Sequence, residues 1–348
     1  MIERFNRKHL KGQRNFLRYE KPKGIYTMKA ATNYQYGPPD VVSIQDVEKP
    51  VPKDDEVLIK VHATTVNRTD CGFRSAEYFI SRFFSGLFKP KNKILGNEFA
   101  GEVEAIGNKV TLFSVGDKVF GYNDTQFGAH AEYMVMAEKE AITTLPANCT
   151  YEEAAPILEG AHYALGNIRA TKISAGQNIL INGATGAIGS AAVQLVKNAG
   201  ARVTAVCHTN QVELVKSIGA DVVLDYTHED FTTLNEKFDV VFDAVGKSAF
   251  GKCKRILTPK GIYVSTEPGK NAENIYLALL TPFRGGPKVI FPLPTISKDD
   301  VEFLKGLVET GKFKPVIDRQ YPLEKIVDAY KYVETRQKIG NVVITVVG

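Results

Sequence analysis

Seven residues, Gly183, Ala184, Thr185, Gly186, Ala187, Ile188 and Gly189, stand between an apolar run, NILIN at 178–182, and a segment with one apolar face. Glycines at this spacing let a backbone turn sharply and approach a pyrophosphate with no side chain between. The helix that follows then offers unpaired N–H groups and the positive end of its dipole to the anion. The spacing is G-x-x-G-x-x-G, and against the usual fingerprint Ala184 replaces the first glycine. A lone glycine pattern is weak; a strand before it and an amphipathic helix after it make dinucleotide binding the reading here.

The cofactor type is read at the tip of the next strand. An NAD site usually places Asp or Glu there to hold the ribose hydroxyls. This chain has Val206-Cys-His-Thr-Asn210, and the first acid, Glu213, falls inside the following helix. A carboxylate at the tip would repel a 2′-phosphate by about 4 kcal/mol at ~4 Å and an effective dielectric near 20. Its absence removes an obstacle to NADPH, with His208, Thr209, Asn210 and Tyr226 as candidate hydrogen-bond donors and no Arg or Lys to add attraction. Ala244, Val245 and Ser265, at the ends of later strands, complete the candidate cofactor lining.

The elements that must position this loop follow from periodicity. Ile188, Ala191, Ala192, Leu195, Val196 and Ala199 recur at helical spacing, and Gly200 closes the helix. Strands are expected at 202–206, 222–224, 238–242 and 261–265, with a second helix at 211–218. Strand and helix alternating in this way form a doubly wound parallel sheet, an α/β Rossmann arrangement over 151–294. From Met28 to about Pro146 the text instead gives short strands broken by glycine turns, as in the alternating EVLIKVHA at 56–63, expected to be half-buried and antiparallel. The C-terminal part has helices at 299–308 and 323–333 and a last strand at 341–347. That strand needs antiparallel edges, so 295–348 is expected to complete the β-rich unit of 28–150.

Bulk composition narrows the class. The chain has 348 residues, 44% hydrophobic and 24% charged, which suits two domains. Of the net charge of +5, residues 1–27 hold a surplus of six, with eight Lys or Arg against two Glu, so the remainder is near neutral. A nucleic-acid footprint is therefore not expected. The basic leader lacks the apolar core of a secretory signal and contains no Ser. It reads as a disordered extension or an early start, with Met28 the functional beginning. No apolar run reaches the roughly 20 residues of a membrane helix. Cys71, Cys149, Cys207 and Cys253 are scattered, forming neither a disulfide framework nor a zinc cluster, and the sequons at Asn67, Asn123 and Asn148 are chance matches. A cytoplasmic, reducing setting is expected.

Together, VNRTD (66–70), ILGNEFAGEVEAIG (94–107), VGDKVFG (115–121), FGAHAEYMV (127–135), NGATGAIGSAAVQL (182–195), GADVVLDY (219–226), FDVVFDAVG (238–246) and IGNVVITV (339–346) resemble the medium-chain dehydrogenase/reductase superfamily. The likeness is greatest to its zinc-independent quinone oxidoreductase branch. The resemblance implies a GroES-like β-rich catalytic domain beside the Rossmann domain, substrate in the cleft between them, and a homodimer built on edge strands such as 288–291. Zinc alcohol dehydrogenases of this superfamily carry Cys and His ligands at the positions of Asn67 and Asn97. Carboxamides are poor zinc ligands, and the four-cysteine structural lobe is missing, so no zinc is expected.

Without a metal, what remains is hydride transfer from a nicotinamide to a carbon already made electrophilic by conjugation, in a quinone or an α,β-unsaturated carbonyl. Asn67, then Asn97, are the candidate donors to the developing oxyanion. Glu98 and Asp70 are expected in structural hydrogen bonds, and His62, His130 and His162 as satisfied hydrogen-bonders. Tyr122 and Arg74 are read as surface residues, with the substrate mouth as the alternative. Phe79, Phe83, Phe84, Leu87 and Phe88 are either an aromatic cover over the cleft or a packed helix. Two other functions stay open: dehydrogenation of an unactivated alcohol, and NADPH binding without chemistry.

Overall fold

The computed structural model describes residues 26–76 and 82–346. The basic leader up to residue 25, Phe79 and the Phe84 side chain lie outside the described residues. The first sheet is built from β1 (Thr27–Asn33), β2 (Val42–Glu48), β3 (Glu56–Val66), β4 (Glu98–Ile106), β5 (Lys118–Tyr122), β6 (Tyr133–Ala137) and β7 (Ile142–Thr144), of which β1 and β2 form a separate hairpin. Two helices interrupt it, α1 (Arg68–Ser75) and α2 (Arg82–Ser85).

β3 organises this unit. It pairs with β4 along one side, and on the other with β6 at its start and with the last strand of the chain at its end. An eleven-residue strand held on both edges leaves almost no exposed face, and nine of its residues are buried, Glu56 among them. The half-buried strand expected from alternation at 56–63 is thus a central one, running on to Val66. One of its polar alternates, His62, is covered by α3 (Tyr151–Ala154), whose Tyr151 ring stacks on it at 4.3 Å. The residues just after 150 accordingly pack back on the first sheet.

The chain then winds through α4 (Leu158–Thr171), β8 (Asn178–Asn182), α5 (Ala187–Asn198), β9 (Arg202–Cys207), α6 (Val212–Ser217), β10 (Val222–Asp225), β11 (Phe238–Asp243), α7 (Phe250–Cys253), β12 (Leu257–Ser265), α8 (Glu273–Leu280) and β13 (Lys288–Ile290). The six strands are parallel in the order β10-β9-β8-β11-β12-β13. Parallel strands need helical crossovers that cover both faces, which is why Ile179, Leu180, Ile181, Val240, Val241 and Phe242 are all buried. The order reverses at β8, so the crevice beyond its carboxyl end is the place where such sheets take ligands.

After α9 (Lys298–Glu309), the chain returns through β14 (Ile317–Pro322), α10 (Ile326–Glu334) and β15 (Asn341–Thr345). β15 joins β3 antiparallel, with Val342 opposite Val66, as the terminal strand requires. One apolar cluster runs unbroken from the first sheet through α4 and α5 to β8, β9 and α9, so the two sheets share a core. Gln194 of α5 reinforces the junction, donating to the Lys314 carbonyl and accepting from the Lys314 N–H, both at 2.9 Å.

Candidate active site

The phosphate loop has the geometry its glycines suggest. Gly183 has φ +82°, and a Cβ on Gly189 would lie 2.0 Å from the Gly183 carbonyl, so the helix can start only where that residue has no side chain. Gly186 is the N-cap of α5 and has no side-chain cap, leaving the first N–H groups of a twelve-residue helix free for an anion. A dinucleotide pyrophosphate fits this cradle. Ala184 is buried beneath it, and Thr185 gives its carbonyl to the N–H of Gly340, at 2.6 Å, from the far side of the cleft. Ala187 and Ile188 begin α5, and Ala244, Val245 and Ser265 stand at the ends of β11 and β12 on the crevice side.

The tip of β9 carries the other expected cofactor residues. His208 caps the turn that follows and accepts from Asn210 N at 3.3 Å, and its ring stands edge-on to Tyr226 at 5.8 Å. Thr209 donates to Asp225 at 2.6 Å. Asp225, at the end of the neighbouring strand β10, was not anticipated from sequence, because parallel pairing sets Asp225 beside Cys207 across a gap of eighteen residues.

The second half of the site lies where β3 and β4 end. Asn67 caps α1: its Oδ1 accepts from Asp70 N at 3.0 Å, while Asp70 Oδ2 accepts from Asn67 N at 3.1 Å. The Asn67 amide Nδ2 donates to Asn97 Oδ1 at 2.7 Å. Asn97 in turn donates to Glu159 Oε2 at 3.0 Å and lies 3.3 Å from the Tyr122 hydroxyl. Glu159 Oε1 accepts from Thr69 at 2.6 Å, and Thr69 lies 3.5 Å from the hydroxyl of Tyr163. Asn67, Asn97 and Glu159 are 4%, 1% and 5% exposed, so this is a closed chain of side chains whose outer members, Thr69 and Tyr163, are half-buried.

Glu159, Thr69 and Tyr163 were missed by sequence reasoning. The local signal is Glu159-Gly160. A Cβ on Gly160 would come 2.5 Å from the Ala187 carbonyl, so this glycine lets α4 press against the first residue of α5 and carries Glu159 to the loop. Beneath it Glu98 accepts from Thr65 at 2.6 Å and from the N–H groups of Glu159 and Leu158 at 2.8 and 3.3 Å. Burial, and then the neighbouring Glu159, push the Glu98 carboxyl up to about 8. The structural roles expected for Glu98 and Asp70 are therefore visible. Tyr122 and Arg74 are not on the surface: both are buried, Tyr122 against Asn97 and Arg74 between the Gly37 carbonyl, at 2.7 Å, and Glu334. His130 and His162 are hydrogen-bonded, but His62 Nε2 has no partner. Of the expected aromatic cover, Phe83 and Phe88 are 69% and 88% exposed.

A zinc ion does not fit the Asn67–Asn97 pair. The two carboxamides bond directly to each other, and Cys71 on α1 is pushed up to about 12 by burial. Among the described residues no group of three His, Cys, Asp or Glu side chains is placed to hold a metal.

Residues 53–147 match the alcohol dehydrogenase GroES-like domain, and residues 218–344 match the zinc-binding dehydrogenase family, a stretch that contains neither Asn67 nor Asn97. The 2-methylene-furan-3-one reductase of Solanum lycopersicum is 33% identical, over 91% of this chain and 79% of that protein. The NADPH-dependent alkenal/one oxidoreductase of Arabidopsis thaliana, a chloroplastic protein, is 32% identical over the same shares. A solved quinone oxidoreductase from Coxiella burnetii superposes with a TM-score of 0.82 at 26% identity, covering 92% of this chain and all of that one. The chain belongs to the medium-chain dehydrogenase/reductase superfamily, in its quinone oxidoreductase-like branch. It is an oxidoreductase with a nicotinamide cofactor and a small-molecule substrate. Among the described residues no helix is long and apolar enough to cross a membrane.

Two outcomes test this geometry. Around Gly186 the nearest atom to an added Cβ is 3.9 Å away, so Gly186→Ala should fold normally, with Tm moved by no more than about 2 °C. The methyl group would still stand the backbone off a pyrophosphate, raising the Kd of the reduced nicotinamide cofactor about tenfold in a fluorescence titration. Buried His130 donates from Nε2 to the Thr65 carbonyl at 2.7 Å and has the Tyr330 hydroxyl on Nδ1 at 3.3 Å, and burial lowers it to about 4. Its folded value lies below the ordinary 6.5, so between those limits the unfolded chain takes up a proton that the folded one does not. Stability therefore falls as pH drops through that window, by at most about 1.4 kcal/mol per pH unit from this group. In urea unfolding the stability gap between wild type and His130→Asn should narrow as pH falls from 6.5 toward 4.

Proposed function

We propose that this enzyme reduces quinones or α,β-unsaturated carbonyls with NADPH and without a catalytic metal. The observation that carries this reading is the Asn67–Asn97 amide pair, closed on itself at 2.7 Å where metal-dependent members of the superfamily hold zinc. A conjugated substrate fits such a site, because its β-carbon accepts hydride without a Lewis acid. When bound, the reduced nicotinamide supplies the hydride from its C4. The relatives named for alkenal/one and methylene-furanone reduction, both enone chemistries, support the substrate class, and the absence of an acid at 208–210 supports NADPH.

The chain's own part is positioning and charge stabilisation. We take 28–150 with 295–348 as the catalytic unit and 151–294 as the cofactor unit, with hydride and acceptor meeting between them. Asn67 and Asn97, expected as direct donors, have their amide hydrogens turned to Asn97, Glu159 and Tyr122. They serve as positioning residues that hold Glu159, which in turn orients the hydroxyl of Thr69. Thr69, its one proton given to Glu159, presents lone pairs beside the Tyr163 hydroxyl, and Tyr163 is the half-buried hydroxyl left to donate to an oxyanion. Lys338, near Glu159 and Glu98, adds positive charge; burial lowers its pKa below the usual lysine range. The four free cysteines suit a reducing cytoplasm.

The enzyme is further proposed to be a homodimer. β13 is an unpaired sheet edge, and beside it Ile275, Tyr276, Leu279, Leu280, Phe283 and Leu293 expose an apolar face, Phe283 at 89%.

An NADPH-oxidation screen against quinones, enones and simple aldehydes, run with EDTA, tests the activity. Quinones or enones should turn over at rates EDTA does not change, and Tyr163→Phe should lower kcat roughly 100-fold. Stoichiometric zinc by elemental analysis, or turnover of unactivated aldehydes alone, would refute the reading. In light scattering the wild type should run as a dimer and Leu279→Glu/Phe283→Glu as a folded monomer; a monomeric wild type removes the dimer.

A further inference from the structure

The tip of β9 is less open to a phosphate than its sequence suggests. Thr209 donates to Asp225 Oδ2 at 2.6 Å, and Thr227 donates its hydroxyl to Asp225 Oδ1 at 2.7 Å and its N–H to the same oxygen at 2.9 Å. The two threonine oxygens lie 3.0 Å apart. Each hydroxyl has one proton. With both given to Asp225, Thr209 and Thr227 present lone pairs to anything that approaches from outside. The bonds from Thr209 and then Thr227 hold the Asp225 carboxyl down, at about 2, so the charge is present at every working pH. His228, 3.6 Å from Asp225, is the nearest basic side chain, and neither 206–210 nor 225–230 contains Lys or Arg.

We infer that Asp225 is a cofactor-selecting residue, which restrains the preference for NADPH and lets the enzyme use NADH as well. A 2′-phosphate resting on Thr209 would stand two hydrogen bonds from this carboxylate, about 5–6 Å, and would compete with it for the Thr209 proton. The 2′-hydroxyl of NADH meets the opposite situation. It donates, and Thr209, its own proton committed, accepts. The loop thus matches a ribose hydroxyl as arranged and must rearrange for a phosphate. This rests on the reading that the adenine ribose lies at 208–210, and it is tested separately from it.

The experiment compares kcat/KM for NADPH and NADH in the wild type, Asp225→Asn, Asp225→Ser, Thr209→Val and Asn210→Ala, with Tm recorded for each. Asparagine keeps an acceptor for Thr227 and removes the charge. The wild type should use both cofactors within about tenfold of each other. Asp225→Asn should raise the NADPH-to-NADH ratio about tenfold, mainly through a lower KM for NADPH, with Asp225→Ser moving the same way. Higher ionic strength should shrink the difference, since the charges are solvent-accessible. If Thr209→Val or Asn210→Ala alters the ratio while both Asp225 variants leave it fixed, Asp225 does not select the cofactor, although the ribose placement stands. If none of the four alters it, the 2′-phosphate does not lie here, and the inference falls with the placement.

Discussion

At the seam between the two sheets, a carboxylate and two carboxamides are shut away from water, and each of their polar atoms needs a partner. Leaving one unpaired costs on the order of 1–3 kcal/mol, a sizeable share of the stability of any domain. The solution is directional. Asn97 receives a proton from Asn67 and gives one to Glu159, which an amide can do because it carries an acceptor and a donor on one group. A carboxylate there would face Glu159 charge to charge, and an ammonium would find no use for the Asn67 proton. The pair thus consists of groups that satisfy one another, and it fixes Glu159 and Thr69 as a consequence.

That network is tied to the cofactor loop by backbone contacts more than by side chains. Gly160 brings α4 against the start of α5, and Gly340 reaches across to Thr185. Glu159, adjacent to Gly160, therefore cannot shift without moving the helix whose uncapped N-terminus is the proposed pyrophosphate cradle. Lys338 donates to the Gly340 carbonyl, so the same crossing carries positive charge. A shared apolar core beneath these contacts makes the geometry of the cleft a property of both sheets together.

How far the sequence disclosed this depends on the range of the interaction. The phosphate loop, the alternation of strand and helix, and the return of the last strand to the first sheet were legible, because each rests on local spacing or on an edge that must be paired. The Asn67 and Asn97 positions were legible only through family resemblance, and their partner Glu159 was not, since a glutamate in a helix has no periodicity that marks it as inward-facing. The surface assignment of Arg74 and Tyr122 failed for a related reason. A long polar side chain is buried only when distant residues supply its partners, and Glu334 lies 260 residues from Arg74. Asp225 was missed because parallel pairing brings strand ends together that are far apart in the chain.

The two proposed ends of the cofactor site then offer different kinds of chemistry, with different freedom to change. In the proposed binding mode the pyrophosphate meets main-chain N–H groups at a helix start. Its recognition is independent of side-chain identity but demands glycine, because Gly183 needs a positive φ and Gly189 abuts a carbonyl. In the proposed binding mode the ribose end meets side chains on the short turn after β9 and at the end of β10, where His208, Thr209, Asn210 and Asp225 are at least partly exposed and support little of the core. Substitutions there change which hydrogen-bond partners the ribose finds and leave the sheet untouched. On the proposed reading, hydride chemistry belongs to the buried seam between the sheets, and the choice of its source is left to a surface turn.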